Sequence, residues 1–106
     1  MINSKILGLV GLAMKAGVLC YGSDSVEQEI YRGKVKLVII AKDSSERTKN
    51  KFTNICKEKN ISIILDEDIE SLSKSIGKSN KAVIGIKDIN FANSIKGKYS
   101  GGEVIG

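Results

Sequence analysis

Apolar residues repeat along this chain with two alternating periods, one helical and one strand-like. Ile6, Leu9, Val10 and Ala13 fall on one face of a helix predicted over about 3–16, and Gly17 sits where a helix stop belongs. "VLCYG" then reads as a short strand. "SDSVEQEIYR" reads as a helix with Val26 and Ile30 four residues apart, ended by Gly33. "VKLVIIA" is a continuous apolar run bounded by charge, the pattern of a strand covered on both faces. Asp43 and Glu46 supply an N-cap with its reciprocal partner, opening a helix with Thr48, Phe52, Ile55 and Cys56 inward. "ISIIL" is the third strand, and Asp66 to Ser75 a helix with Ile69, Leu72 and Ile76 inward. "AVIGI" is the fourth strand and Asp88 to Lys96 the last helix. Residues 1–97 form one domain on this reading, and the Gly-rich 98–106 a flexible tail.

Strands alternating with helices imply an α/β fold, a three-layer α/β/α sandwich around a four-stranded sheet. Sites in such sheets collect at loops leaving the strand ends. The loops 22–25 and 42–45 each lead into a helix start, where free N–H groups favour anions. The loop 76–81 enters a strand instead. It joins the other two only if the sheet is mixed and the fourth strand antiparallel, and that arrangement is the expectation.

Composition narrows the chemistry. The chain has 106 residues, 42% of them hydrophobic, enough for one real core. A net charge of +5 and a pI near 9.3 favour a polyanionic partner. The absence of histidine removes Ser-His and Cys-His nucleophile systems and most zinc sites. Cys20 and Cys56 form no CxxC pair and suit a reducing cytoplasm as small buried side chains. The apolar N-terminal run is interrupted by Lys15, too short to span a bilayer, and followed by no cleavage pattern. No membrane partner, metal, cofactor or small-molecule substrate is expected.

"SIGKSNK" (75–81) ends like a phosphate-binding P-loop, but Leu72 stands where its first Gly belongs and a strand follows instead of a helix. Asp66, Glu67, Asp68 and Glu70 resemble a carboxylate cluster, yet a helix start favours acidic residues for its dipole alone. Neither supports catalysis, and the five aromatic residues are too scattered for a base-stacking platform. Three polar segments remain. "YGSDSVEQ" offers Gly22 for close backbone approach, with Ser23, Asp24, Ser25 and Gln28, although Ser25 and Gln28 also spell a capping box. "AKDSSE" offers Lys42, Asp43 and Ser44, the last two also plain helix caps. The third segment offers Lys74, Ile76, Gly77, Lys78, Ser79, Asn80 and Lys81, where Gly77 also serves as a helix stop. Together they are expected to hold most of the excess positive charge.

"GLAMKAG", the eleven-residue step from Gly22 to Gly33, "KLVIIAKD" and "IGK" carry a resemblance running from about residue 5 to 96. The chain resembles the bacterial YlxQ-type proteins of the superfamily of ribosomal proteins L-seven-Ae, L-thirty-e and S-twelve-e and the Gadd-forty-five proteins. The resemblance implies the sandwich with an antiparallel fourth strand. It also implies a non-enzymatic, ribosomal-type protein binding kink-turn RNA, a helix–bulge–helix with tandem sheared G·A pairs, with ribosomal RNA and the ribosome among its partners. Gly22 and Ser23 match the family's Gly-Thr opening, Asp43 its Asp after the second strand, and Gly77 the Gly of its last loop. Lys42, Lys74, Lys78 and Lys81 would neutralise phosphates, and Gly77 with Ile76 would pack on the bulged nucleotide. Archaeal and eukaryotic kink-turn binders carry Asn, Glu and Lys where this chain has Asp24, Ser25 and Gln28. Gln28 can donate to guanine O6 and N7 only without charge. The other function consistent with these departures is a protein-interaction module on the same fold.

Overall fold

Glycine stops set the rhythm of the chain. Gly17, Gly33 and Gly77 adopt φ of +75°, +74° and +72°, a region open to glycine at little cost, and each ends a helix. The computed structural model describes residues 6–99 and 104–105. Their order is α1 (Leu7–Lys15), β1 (Leu19–Tyr21), α2 (Ser23–Tyr31), β2 (Leu37–Ile40), α3 (Glu46–Lys59), β3 (Ser62–Leu65), α4 (Ile69–Ser75), β4 (Val83–Ile86), α5 (Ile89–Lys98) and β5 (Val104–Ile105). The first residues of the predicted 3–16 helix lie outside the described residues.

The sheet order is β1-β4-β2-β3-β5. β2 and β3 are parallel, while β4 runs antiparallel to both β1 and β2, as expected. β5, antiparallel to β3, adds a short edge strand to the expected four. Toward the C-terminus, Lys98 belongs to α5, the Tyr99 hydroxyl donates to the Leu65 carbonyl at 3.0 Å, and 104–105 pair with the sheet. Residues 100–103 and 106 lie outside the described residues.

Alternation along the strands builds two cores. Leu37 and Ile39 of β2 pack with Ile64, Ile84, Ile86 and the inner faces of α1, α4 and α5. Val38 and Ile40 point the other way, toward Val26, Ile30, Phe52 and Ile55 of α2 and α3. β2 is therefore buried on both faces, as its apolar run predicts. Each fully buried aliphatic or aromatic side chain here contributes about 1.5–3 kcal/mol of transfer free energy. Gly85 of β4 faces the α2 layer. A Cβ there would lie 2.7 Å from Cys20 Sγ, its partner on β1, and 3.4 Å from Val26 and Val35, so the missing side chain leaves room for the Cys20 thiol against the sheet.

Two predicted helix starts move. α3 is capped by Ser45, whose hydroxyl accepts the Thr48 N–H at 3.1 Å, and not by Asp43. α4 begins at Ile69 instead of Asp66, because Glu67 turns to φ +58° and Asp68 takes the cap, accepting the Ser71 N–H at 2.7 Å. That hydrogen bond holds the Asp68 carboxyl below the usual carboxylate range.

Candidate functional site

Antiparallel β4 decides where the loops go. Tyr21, the last residue of β1, pairs with Ile84, and Ile40, the last of β2, pairs with Val83 at the start of β4. The Gly22 N–H continues the ladder to the Val83 carbonyl at 2.9 Å, and the Ala41 N–H reaches the Ala82 carbonyl at 3.0 Å. The exits of β1 and β2 and the entrance of β4 thus share one end of the sheet. All three candidate segments meet there.

Gly22, at φ +89° and ψ 147°, is the N-cap residue of α2. A glycine cap brings no side chain to the first turn, and the Ser25–Gln28 capping box does not form. Asp24, Ser25 and Gln28 are exposed, Ser23 half-buried. Asp24 and Gln28 line a shallow depression with Glu27, Tyr31 and Arg32.

The second segment is largely used by the fold. The Asp43 carboxylate accepts the Ile69 N–H at 2.8 Å, tying the β2 exit to the start of α4. Ser44 is buried and its hydroxyl donates to the Ala41 carbonyl at 2.9 Å. The Lys42 N–H donates to the Glu67 carbonyl at 2.8 Å, and its ammonium lies 3.9 Å from Asp66.

Buried Ser73 latches the third segment. Its hydroxyl accepts the Lys81 N–H at 2.7 Å and its carbonyl the Lys78 N–H at 2.9 Å, fixing both ends of the loop. Asn80 takes a left-handed turn at φ +57° between them. Ile76 is buried in the core beside α1, inward as the helical pattern of this segment predicts. Lys74, Gly77, Lys78, Ser79 and Asn80 remain exposed. The ammonium groups of Lys78 and Lys81 sit 5.3 and 5.6 Å from the centroid of the Tyr21 ring, within cation–π range.

One expectation fails at this end. Because β3 is parallel to β2, its exit emerges beside the other loops and brings Asp66, Glu67 and Asp68 with it. The Asp66 N–H bonds to the Ile40 carbonyl at 3.1 Å, which places the acidic turn against the β2 exit. With Asp24 and Asp43, five carboxylates belong to the segments at this end against four lysines, Lys42, Lys74, Lys78 and Lys81, so these segments do not hold most of the positive excess. Sequence reading also missed Tyr21 and Ser73. The acidic turn was foreseeable, since a strand–helix–strand crossover normally leaves its strands parallel. Nothing local marks Tyr21 as a seat for two lysines, because those residues are about 60 positions away.

Burial pushes the Cys20 thiol up to about 11 and the Cys56 thiol to about 12, away from reactive thiolate. Among the described residues no three His, Cys, Asp or Glu side chains come together as a metal site. None of the described helices is long and apolar enough to cross a membrane.

The profile of the ribosomal protein L7Ae/L30e/S12e/Gadd45 family matches residues 4–96. The chain belongs to this family. Within it, the chain is similar to the RNA-binding protein YlxQ of Bacillus subtilis, 34% identical over 87 residues, 82% of this chain and 87% of that one. It is equally identical to the RNA-binding protein YlxQ of Enterococcus faecium, over 94 residues, 89% and 90% of the two chains. A solved structure of a Bacillus halodurans protein of unknown function superposes with a TM-score of 0.86 at 33% identity, covering 90% of this chain and 96% of that one. The loop end described above is thus the strand-exit end of an L7Ae-family sandwich.

Proposed function

We propose that this protein is a non-catalytic, cytoplasmic RNA-binding protein of the translation apparatus that recognises a kink-turn-like RNA with the three-loop end. The convergence of Gly22, Lys42 and the 76–82 loop at one sheet end carries the reading, and the names of the YlxQ relatives support it. Exposed Gln28 on α2 faces the G·A step as an uncharged donor, while Lys78 and Lys81, seated on Tyr21, meet phosphates. RNA is read at such irregular elements because the A-form major groove is closed to side chains. The acidic turn Asp66–Asp68 at the same end favours a second reading, a protein-interaction module on this fold.

Paired titrations separate the two. A kink-turn RNA is compared at fixed salt with a control whose G·A pairs are replaced by Watson–Crick pairs. The kink-turn is expected to bind more tightly, and Gln28→Lys to tighten it by a further factor of about ten, since ~1.4 kcal/mol is the low end of a specific base contact. Equal binding of both RNAs by both proteins would remove the kink-turn reading and leave the interaction module.

A further inference from the structure

The opposite end of the sheet carries a positive surplus. Arg32, Lys34 and Lys36 lead into β2, Lys57 and Lys59 lead into β3, and Lys87 leaves β4. The register brings these segments together, with Leu37 opposite both Ser62 and Ile86 and the Lys36 N–H on the Ile86 carbonyl at 2.7 Å. The carboxylates of the same segments are Glu29, Glu58 and Asp88. Glu29 is shared by Arg32 at 3.1 Å and Lys87 at 3.4 Å, and Asp88 accepts the Phe91 N–H. Among the described residues, Lys34, Lys36, Lys57, Lys59 and Lys96 have no carboxylate at ion-pair distance.

These lysines surround a shape. A groove of about 420 Å³ runs between the starts of β2 and β3, over buried Val35 and Ile61, with Lys36, Lys59, Lys96 and half-exposed Ile89 at its edges. The Lys96 ammonium lies 3.5 Å from the Ser62 hydroxyl, and Lys59 stands 5.1 Å over the ring of exposed Tyr31. Complementing helix dipoles accounts for Lys57 and Lys59 in the last turn of α3. It does not account for Lys36 and Lys87, which adjoin strand ends.

We propose that this groove is a second binding site, taking single-stranded RNA by its phosphates on the lysines and a ribose or base over the Val35–Ile61 floor. Lysine suits this occupant better than an acidic peptide. Its ammonium is a point charge without the planar fork that grips carboxylates in two-point fashion, and the groove lining contains no arginine. Phosphate neutralisation needs charge density without fixed geometry. The site stands apart from the three-loop end and does not depend on the function proposed for it.

The test uses the full chain and a single-stranded RNA oligonucleotide lacking G·A pairs. Amide NMR is expected to show shifts at 33–36, 57–62 and 96 on titration. The variant Lys34→Gln/Lys36→Gln/Lys59→Gln, altering exposed side chains only, should abolish those shifts. Each lost phosphate contact lowers the salt slope of single-strand binding by about 0.7, so the triple variant should lose about two units. Lys78→Ala/Lys81→Ala should leave both readouts unchanged, which separates this site from the loop end. Shifts confined to 22–25 and 76–82, or an unchanged slope in the triple variant, would overturn the proposal. Shifts at the groove with polyglutamate but not with RNA would overturn it in favour of an acidic protein partner.

Discussion

The Asp43 carboxylate accepts the backbone N–H of Ile69, 26 residues away, at 2.8 Å. Asp68 serves the same helix start through Ser71, so two carboxylates from different loops hold the first turn of α4. An exposed residue in a candidate binding loop thereby acts as a remote helix cap. Asp43→Ala should cost about 1 kcal/mol, the usual effect of losing a cap, or roughly 4–8 °C in Tm for a domain of this size. Asp43→Asn keeps an acceptor oxygen and should retain most of that stability. Thermal melts of the two variants check this, and equal melts for Ala and wild type would remove the capping role.

Gly85 makes room for the Cys20 side chain of the neighbouring strand. Gly85→Ala forces its new methyl against Cys20 Sγ, and overpacking of this kind costs about 1–3 kcal/mol. Cys20→Ala should relieve part of the cost, so a double-mutant cycle by urea denaturation should give a coupling favourable to the pair. Strict additivity would mean that the clash is absorbed elsewhere.

Ser73→Ala leaves the Lys81 N–H without its hydroxyl acceptor. An unpaired buried donor costs about 1–3 kcal/mol, and this half-buried one should cost about 1 kcal/mol or less. The loss should concentrate in the loop, so hydrogen exchange is expected to quicken at 78–82 and hardly at all in β2. Uniform quickening would mean that Ser73 supports the whole fold instead of its own loop.

The two buried thiols predict loss of stability in alkali. Burial raises Cys20 from 9.0 to about 11 and Cys56 to about 12. The folded state therefore keeps its protons after the unfolded chain begins to release them. Their contribution is complete below about pH 9 and declines as pH rises toward the folded values. The urea midpoint should fall between about pH 8 and about pH 10, and fall less in Cys20→Ala/Cys56→Ala. Parallel declines in the two proteins would mean that the buried thiols are not the cause.

How much of this was readable in the sequence follows from which contacts are local. The split of β2 into Leu37/Ile39 and Val38/Ile40 faces, and the stops at Gly17, Gly33 and Gly77, are properties of neighbouring residues, and they placed every helix and the four long strands. "AKDSSE" was harder, because Asp43, Ser44 and Ser45 are all competent caps and spacing alone cannot rank them. The choice fell to Ser45 once α4 had claimed Asp43, a relation invisible within a local window. Ile76 carried the same ambiguity, since an apolar residue beside a polar loop fits a ligand or a core equally well, and α1 takes it. β5 escaped notice because two apolar residues in a Gly-rich run hold no period.

The sheet order has a consequence in time. β1 pairs only with β4 among the described strands, although the two are separated by most of the chain. β4 also slots between β1 and β2, elements that leave the ribosome long before it. A nascent chain stopped before residue 83 therefore has a solitary first strand and an open edge on β2, and its three loops have no common end. Long-range pairings of this kind close late and slowly. The loop end comes into being only when the chain is nearly complete, so unfinished copies are silent toward any partner that reads it.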